Sequence, residues 1–515
     1  MSSPITNPKI RKDKNLTAAV IDLEPLLTYS EKHLFADLLA YNKEVGLDMV
    51  FRVAGGWVRD KIMGIPCNDI DIAIDRASGS LFATGFVEYL KRKKSKVRGY
   101  HVIPYNHEKA KHLETASLLY YGYSIDFVAL RTEEYADSRI PNVRMGTPLE
   151  DAERRDLTIN ALFYNINRGQ VEDYTGKGIA DIQGRVVRTP LPARETFLDD
   201  PLRVLRVLRF AARLGFTIVP EILTALEDQD LLKKMARVVS RERIGQELKK
   251  TLSHPNYGLA LGIMAQYRLT TIIFPNIPLN STHLNVTTQY CQHHRQLSKN
   301  PPAGHPLLQI PNAQLYFIPL FAILQHTLYL PPIQKEPISG RTVSEDLKWT
   351  KKEKALVIHL AQSLLYLSAN LDMYSHSSHS NSTTAPTQSK QYTLIKMARY
   401  IKDSLPLALT IYDLIQQSQT STSPILHPIS INAIQQDLTT YNYQTVWQSP
   451  PPLTFQFLQR HLKASLKDTR VYHEECTILS IIHHTTDSET LLQLLSQLYP
   501  TITTTNTTTT KPPNI

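Results

Sequence analysis

The stretch GGWVRDKIMGIPCNDIDI, Gly55 to Ile72, sets two aspartates, Asp69 and Asp71, one residue apart on an alternating run that reads as a strand. Residues i and i+2 of a strand face the same side, so the two carboxylates crowd one spot. A hard cation relieves such crowding, and magnesium is commonly held by one or two carboxylates together with substrate phosphates. Just upstream, Gly55 and Gly56 permit backbone geometry in which N–H groups approach an anion, and WVRD can open a helix whose N-terminal end faces that anion. Arg59, about one turn in, adds a fork of donors suited to a triphosphate. Alone, a DxD strand is more often a solvated face. Joined to the glycine pair and the arginine, it points to phosphoryl or nucleotidyl transfer.

A second constellation lies in DDPLRVLRVLRF, Asp199 to Phe210. Pro201 suits the start of a helix, and Arg203, Arg206, Arg209 and Arg213 follow at spacings of three and four, an arginine stripe beside an apolar face of Leu202, Leu205, Leu208 and Ala212. Asp200 is either an N-cap or something more. Cytosine and adenine both present an exocyclic amino donor beside a ring-nitrogen acceptor; uracil and guanine present a carbonyl beside an N–H. A carboxylate such as Asp200 with a guanidinium such as Arg203 fits C and A and opposes U and G.

The elements that must position these groups are legible in outline. Thr28, three residues before Glu31, makes a capping box ahead of Leu34, Phe35, Leu38 and Leu39 at helical spacing. MVFRVAGG, DIDIAI and YSIDFVAL read as strands, while NALFYNI, Asn160 to Ile166, fits helix or strand equally. Beyond Pro192 the three-and-four spacing of apolar residues predicts helices almost throughout. The expected fold is α+β: a mixed sheet with helices in an N-terminal head, then an all-α remainder. The expected boundaries are a flexible basic start at 1–27, a head at 28–170, a helical neck at 171–255 and a helical body and tail at 256–500. The hydroxyl-rich insert at 375–390 and the threonine tract at 501–515 hold too few apolar residues to offset their ordering entropy.

The chain has 515 residues and a net charge of +10, with a pI near 9.2, which suits several packed units and a polyanionic partner. Cys67, Cys291 and Cys476 stand far apart without a CxxC pair, arguing against a disulfide framework or thiolate zinc site and for a reducing compartment. No apolar run reaches the roughly 18 residues of a membrane span. The start, MSSPITNPKIRKDKN, lacks the apolar core of a secretory signal.

GGWVRDKIMGIPCNDIDI resembles the first signature of the polymerase β type nucleotidyltransferases, in the class that holds the tRNA nucleotidyltransferases, the CCA-adding enzymes. RRDLTINALFYN, DYTGKGIADI, DDPLRVLRVLRF and SRERIGQEL resemble the second to fifth signatures, in order, over about residues 50 to 250. The wording of the segments is closest to the eukaryotic, fungal-type enzymes. The resemblance implies a polymerase β type head, a neck that reads the base, and a body and tail that grip tRNA. It implies template-independent addition of C, C and A to the tRNA 3′ end from CTP and ATP, with Mg2+ as cofactor. Asp69 and Asp71 become the metal-holding catalytic residues, with Asp126 in SIDFVALR as a third carboxylate or, equally, a strand-end residue paired with Arg131. Gly55, Gly56, Arg59, Arg154, Arg155, Asp156, Asn160, Asp200, Arg203, Arg206 and Arg209 become nucleotide contacts. Asp173 and Asp181 read as hinge and packing residues. The basic run KRKKSKVR, Lys91 to Arg98, is either a phosphate contact or a solvated helix end. The partners are the acceptor arm and 3′ end of tRNA, CTP and ATP, with no membrane; cytoplasm, nucleus and mitochondrion all remain open. The rivals are a poly(A) polymerase or a CC- or A-adding enzyme on the same scaffold, and more distantly a non-catalytic RNA-binding protein.

Overall fold

The DIDIAI run is a strand whose isoleucines Ile70, Ile72 and Ile74 are buried while Asp69 and Asp71 stay exposed, the pattern expected of a sheet packed on one side only. In the computed structural model the described residues are 10–11, 20–75, 79–95, 97–103, 115–134, 142–277, 279, 281–331, 336–370, 388–419, 426, 428–462 and 464–500. They fall into two compact units, Met1–Pro275 and Asn276–Ile515.

The first unit is built on a seven-stranded mixed sheet. Its strands are β1 (Phe51–Ala54), β2 (Asp69–Ile74), β3 (Arg98–Ile103), β4 (Thr115–Tyr120), β5 (Tyr123–Ala129), β6 (Phe163–Asn165) and β7 (Gln170–Glu172), in the order β7-β6-β1-β2-β5-β4-β3. Every neighbouring pair is antiparallel except β2 and β5, which run parallel with Asp71 opposite Asp126. One face is covered by α1 (Tyr29–Val45) and α3 (Gly79–Arg92): Phe82 packs with Phe51 and Phe127 of the sheet, Phe86 with Phe127, and Tyr41 against Phe82 and Phe86, at ring separations of 5.0 to 6.0 Å. Truncating any one of these phenylalanines to alanine is worth about 3–5 kcal/mol. Gly79 is required at the start of α3, because a Cβ there would lie 2.2 Å from the Phe127 carbonyl oxygen.

The expected capping box opens α1: Thr28 Oγ1 accepts from the Glu31 N–H, and Glu31 accepts from the Thr28 N–H. Buried Glu31 also receives Trp57 Nε1 at 3.0 Å and Lys61 Nζ at 2.8 Å, tying α1 to α2 (Gly56–Ile62). The ambiguous NALFYNI segment divides: a 3-10 turn at Thr158–Asn160, then β6, because the apolar Phe163 and Tyr164 are both buried against the β1 edge.

Helices dominate after β7. Within the first unit, α4 (Pro148–Glu153) precedes β6, and β7 is followed by α5 (Gly178–Gly184), α6 (Ala193–Asp199), α7 (Leu202–Leu214), α8 (Pro220–Ala225), α9 (Gln229–Val238), α10 (Arg241–Leu252), α11 (Tyr257–Gln266) and α12 (Leu269–Ile273). α7 packs against both α10 and α11, as its apolar face requires. The second unit is helical as anticipated, from Ser281–Lys299 to Ser488–Leu498, with one of its cores formed by Leu458, Leu462, Cys476, Leu479, Leu491 and Leu495. None of the described helices is long and apolar enough to cross a membrane.

At the edges, the start read as flexible holds some order. Ile10–Arg11 and Val20–Ile21 pair as a short antiparallel ladder, and Leu23 and Leu27 are buried, because the residues just before α1 carry leucines that reach the core. Most of the 375–390 insert, through residue 387, and the whole 501–515 tract lie outside the described residues; Gln388–Ile401 is a helix.

Candidate functional site

Asp69 and Asp71 open into a cleft of about 1420 Å³, lined also by Gly56 and Arg59 of α2, by Arg154, Arg155, Asp156 and Asn160, and by Asp200, Arg203 and Arg206 at the head of α7. All of these belong to the first unit. Residues from β2, the second-signature turn and α7, as far apart in sequence as Asp69 and Arg206, therefore face one space.

At the acidic end, the Asp71 carboxylate is open to the cleft yet ringed by protein. Desolvation by those walls, and after it the Asp126 and Asp69 carboxylates, push its carboxyl up, with the Arg155 guanidinium pulling the other way. A carboxylate group under this strain is what a cation would relieve. Asp126 sits across from Asp71 in register, half-buried, but it is not part of the cleft lining, and Ser117 Oγ donates to its Oδ1 at 2.5 Å. It is not paired with Arg131, whose guanidinium lies 3.0 Å from Glu133. Among the described residues, no group of three or more His, Cys, Asp or Glu side chains is placed to hold a metal by itself. Two oxygen donors on one strand face suit a hard divalent cation that completes its shell from substrate oxygens and water. The donor chemistry fits, and Asp69 and Asp71 are the residues that would hold it.

The glycine pair works differently from its sequence reading. Gly55 has φ +72°, and its N–H donates to the Leu162 carbonyl at 2.9 Å, so that N–H is already used within the fold. A Cβ at Gly55 would stand 2.7 Å from Arg155 Nη1 and 3.2 Å from the Asn160 carbonyl. The glycine lets β1 turn into α2 under the second-signature turn, rather than offering a donor to an anion. Gly56 does line the cleft.

The second-signature side chains brace one another. Asp151, buried one turn upstream on α4, takes Arg154 Nη2 at 2.5 Å and Arg155 Nη2 at 2.8 Å; its burial raises the carboxyl, but the two arginines outweigh that and hold it below the usual carboxylate range. Arg154 also reaches Glu133 at 3.0 Å and the Arg131 carbonyl at 3.0 Å. Asn160 accepts from Arg59 through Oδ1 and donates to Asp156 through Nδ2 at 3.0 Å. Arg59, buried, further contacts Asp60 at 2.8 Å and lies 5.0 Å from the Phe210 ring centroid. Arg59 and Asn160 thus form a bridge between α2, the turn and α7, with their polar groups mostly turned inward.

On α7 the arginine stripe separates into roles. Arg206 pairs with buried Asp156 at 2.8 Å. Arg209 is buried, donates to Glu247 of α10 at 2.6 Å and lies 4.3 Å from the Phe210 ring centroid; it is not part of the cleft lining. Arg213 reaches Asp60 at 3.3 Å. Arg203 is held by two backbone carbonyls, Thr196 O at 3.2 Å and Arg154 O at 2.7 Å, which fix its guanidinium at the cleft wall. Asp200 ends α6 in an extended conformation, φ −133° and ψ 99°, and its Oδ1 accepts from the Leu202 N–H at 3.2 Å. It is a helix cap and a cleft residue at once. Asp181 accepts from Thr158 Oγ1 at 2.7 Å and from Arg188, and Asp173 from the Ile179 N–H at 3.0 Å.

Of the basic run, Arg92 pairs with Glu44 and Lys93 with Asp37, both on α1, which favours the solvated-helix-end reading for those two. The sequence reading overlooked Glu133, Asp151, Arg243 and Glu247. The i+3 and i+4 spacing of Arg154 and Arg155 from Asp151 was the available signal; Glu133 and Glu247 gave none, because their partners are distant in sequence.

Residues 51–188 match the family model described as Poly A polymerase head domain. The chain is 50% identical over 231 residues to the CCA tRNA nucleotidyltransferase, mitochondrial, of Saccharomyces cerevisiae, covering 44% of this chain and 42% of that one. It is 49% identical over 231 residues to the protein of the same name from Candida glabrata, covering 44% of each. The matched part thus spans less than half the length of these relatives. Among solved structures, the apo form II of a CCA-adding enzyme superposes with a TM-score of 0.63 at 21% identity, covering 93% of this chain and 99% of that one, a likeness of fold.

Proposed function

We propose that this chain, whose residues 51–188 match the model described as Poly A polymerase head domain, is a CCA tRNA nucleotidyltransferase. It adds C, C and A without a template to the 3′ end of tRNA, taking CTP and ATP and releasing pyrophosphate. The carrying observation is that the Asp69–Asp71 strand face and the Asp200–Arg203 pair open into one cleft, chemistry at one wall and base selection at the other. The named activity of the fungal relatives supports the same reading.

Asp69 and Asp71 would hold Mg2+, which when bound neutralises the triphosphate and favours the ionised 3′-hydroxyl. The hydroxyl of the tRNA attacks the α-phosphorus in line, the bond to the bridging oxygen of pyrophosphate breaks, and no covalent enzyme intermediate forms. Asp200 accepts from the exocyclic amino group of C or A while Arg203, held by the Thr196 and Arg154 carbonyls, donates to the ring nitrogen. Arg155, whose charge is felt at Asp71, favours the ionised carboxylate there and adds positive potential to the phosphate side. Gly56 and Arg59 line the triphosphate side of the same cleft, and Arg206, Asp156 and Asn160 keep the turn and α7 in register.

The helices of the second unit would take the acceptor arm through backbone and shape, as RNA duplexes are generally read. Two relatives are named as mitochondrial, and we extend to this chain an intracellular setting that includes a mitochondrial pool.

Substituting Asp69→Ala or Asp71→Ala tests the assignment. Addition of both C and A should fall by more than about a thousandfold, while tRNA binding, measured by filter retention, stays near that of the parent. Turnover retained in either purified variant removes the aspartates from the chemistry.

A further inference from the structure

Arg243, in the first turn of α10, reaches across to Asp200: Nη2 lies 2.7 Å from Oδ2 and Nη1 3.4 Å from Oδ1. Both residues line the cleft. The helix that carries Arg243 is itself anchored. Ser240 caps it by accepting from the Arg243 N–H, Arg241 donates to the Ile272 carbonyl at 2.6 Å, and buried Glu247 receives Arg209 at 2.6 Å. The guanidinium is therefore presented from a fixed point.

From this geometry we infer that Arg243 is a positioning residue for base selection, holding the Asp200 carboxylate in the plane that reads the incoming base. The inference rests on the proposed function and adds a residue to it. A carboxylate offers about four lone-pair sites. Oδ1 takes the Leu202 N–H and Arg243 Nη1, and Oδ2 takes Arg243 Nη2. That leaves room on Oδ2 for one further donor, which is what the amino group of C or A supplies.

Two guanidinium N–H groups aimed at the carboxylate leave the remaining Oδ2 site as an acceptor facing the cleft. U and G, which would set a carbonyl against Oδ2, meet repulsion instead. The two-point fork also stops the carboxylate from rotating to a pose in which it tolerates either edge. Arg203, held by main-chain carbonyls, and Asp200, held by Arg243, thus form a base-reading pair made rigid from two directions.

The test compares the parent with Arg243→Ala, Arg243→Gln and Arg243→Lys, with Asp200→Ala as reference, using full-length protein and a tRNA lacking CCA. Single-nucleotide kcat and KM are measured for CTP, ATP and UTP, alongside CTP binding by calorimetry. Loss of one charge-assisted fork should raise KM for CTP and ATP and lower the CTP-over-UTP ratio of kcat/KM by about 10- to 100-fold in the alanine and glutamine variants. The lysine variant, a point charge without the fork, should fall between. Free guanidinium ion should partly restore CTP use by Arg243→Ala, and adding Arg243→Ala to Asp200→Ala should cost little more. A merely structural arginine would lower kcat for all nucleotides alike, without rescue or change in the ratio, and that result would overturn the inference. If Arg243→Ala does not fold, the glutamine and lysine variants decide by the same ratio. Should Asp200→Ala keep the parent discrimination, the base-reading assignment itself fails, and the role of Arg243 with it; failure of Arg243 alone leaves Asp200→Ala defective and Arg243→Ala discriminating.

Discussion

Arg206 and Asp156, fifty positions apart, meet at 2.8 Å and join the helix of the fourth signature to the turn of the second. Asp156 is buried, and the Arg206 charge with the Asn160 amide holds its carboxyl below the usual range despite the opposing cost of desolvation. The two halves of the cleft are locked through this pair.

Removing the arginine leaves a buried carboxylate without its counter-ion. Arg206→Ala should destabilise the first unit by about 2–3 kcal/mol, read by chemical denaturation. Because the folded-state pKa of Asp156 is depressed, the pair contributes fully above the ordinary value near 3.8 and is lost as pH falls through the lower folded value. The stability gap between parent and variant should therefore be constant near neutrality and close below about pH 4. A gap that widens in acid would show that another group carries the effect.

Gly55 makes a sharper steric prediction. At φ +72° and ψ −121° an L side chain is strained, and a Cβ would press on Arg155 Nη1 at 2.7 Å. Gly55→Ala should cost about 1–3 kcal/mol of backbone strain and displace Arg155, lowering nucleotide addition at least tenfold. The corresponding change at Gly46, where φ is +63° but no atom lies within 4 Å, should cost stability without a comparable loss of activity.

The cysteines report on burial. Burial pushes the Cys476 thiol up to about 12, and Cys67, at the cleft wall, is also raised by burial, with the Asp69 backbone contact and the Arg59 charge pulling back. A raised thiol pKa means less thiolate at a given pH. Alkylation near neutrality should leave Cys476 untouched until the chain unfolds. At Cys67 it should be slow, speed up as pH rises above the ordinary thiol value, and slow again when CTP fills the cleft. Rapid labelling of Cys476 in the native protein would refute its burial.

The residues themselves disclosed much of this architecture. The DxD alternation gave β2 with its aspartates outward, and the Thr28–Glu31 box gave the start of α1, because both patterns are local and period-bound. The cleft was legible only as a set of nominees. Arg154, Arg155 and Asn160 have the types that bind nucleotides, yet their hydrogen bonds run largely to Asp151, Glu133, Arg59 and Asp156. Those pairings depend on where the β5–α4 segment and α7 fall in space, which no periodicity carries. Arg209 likewise sits in the stripe at correct spacing, yet faces Glu247, since the stripe spans more of the helix surface than the cleft does.

The central claim is tested most directly by reading tRNA 3′ ends. Purified protein with magnesium would be given tRNAs ending before, within and after CCA, with each nucleotide triphosphate singly and then all together, and the products sequenced. C should be added only before the final A and A only after both C residues, with no incorporation of U or G and arrest at CCA. Long A tails would instead mark a poly(A) polymerase, and no extension of any tRNA would contradict the assignment of this cleft to nucleotidyl transfer.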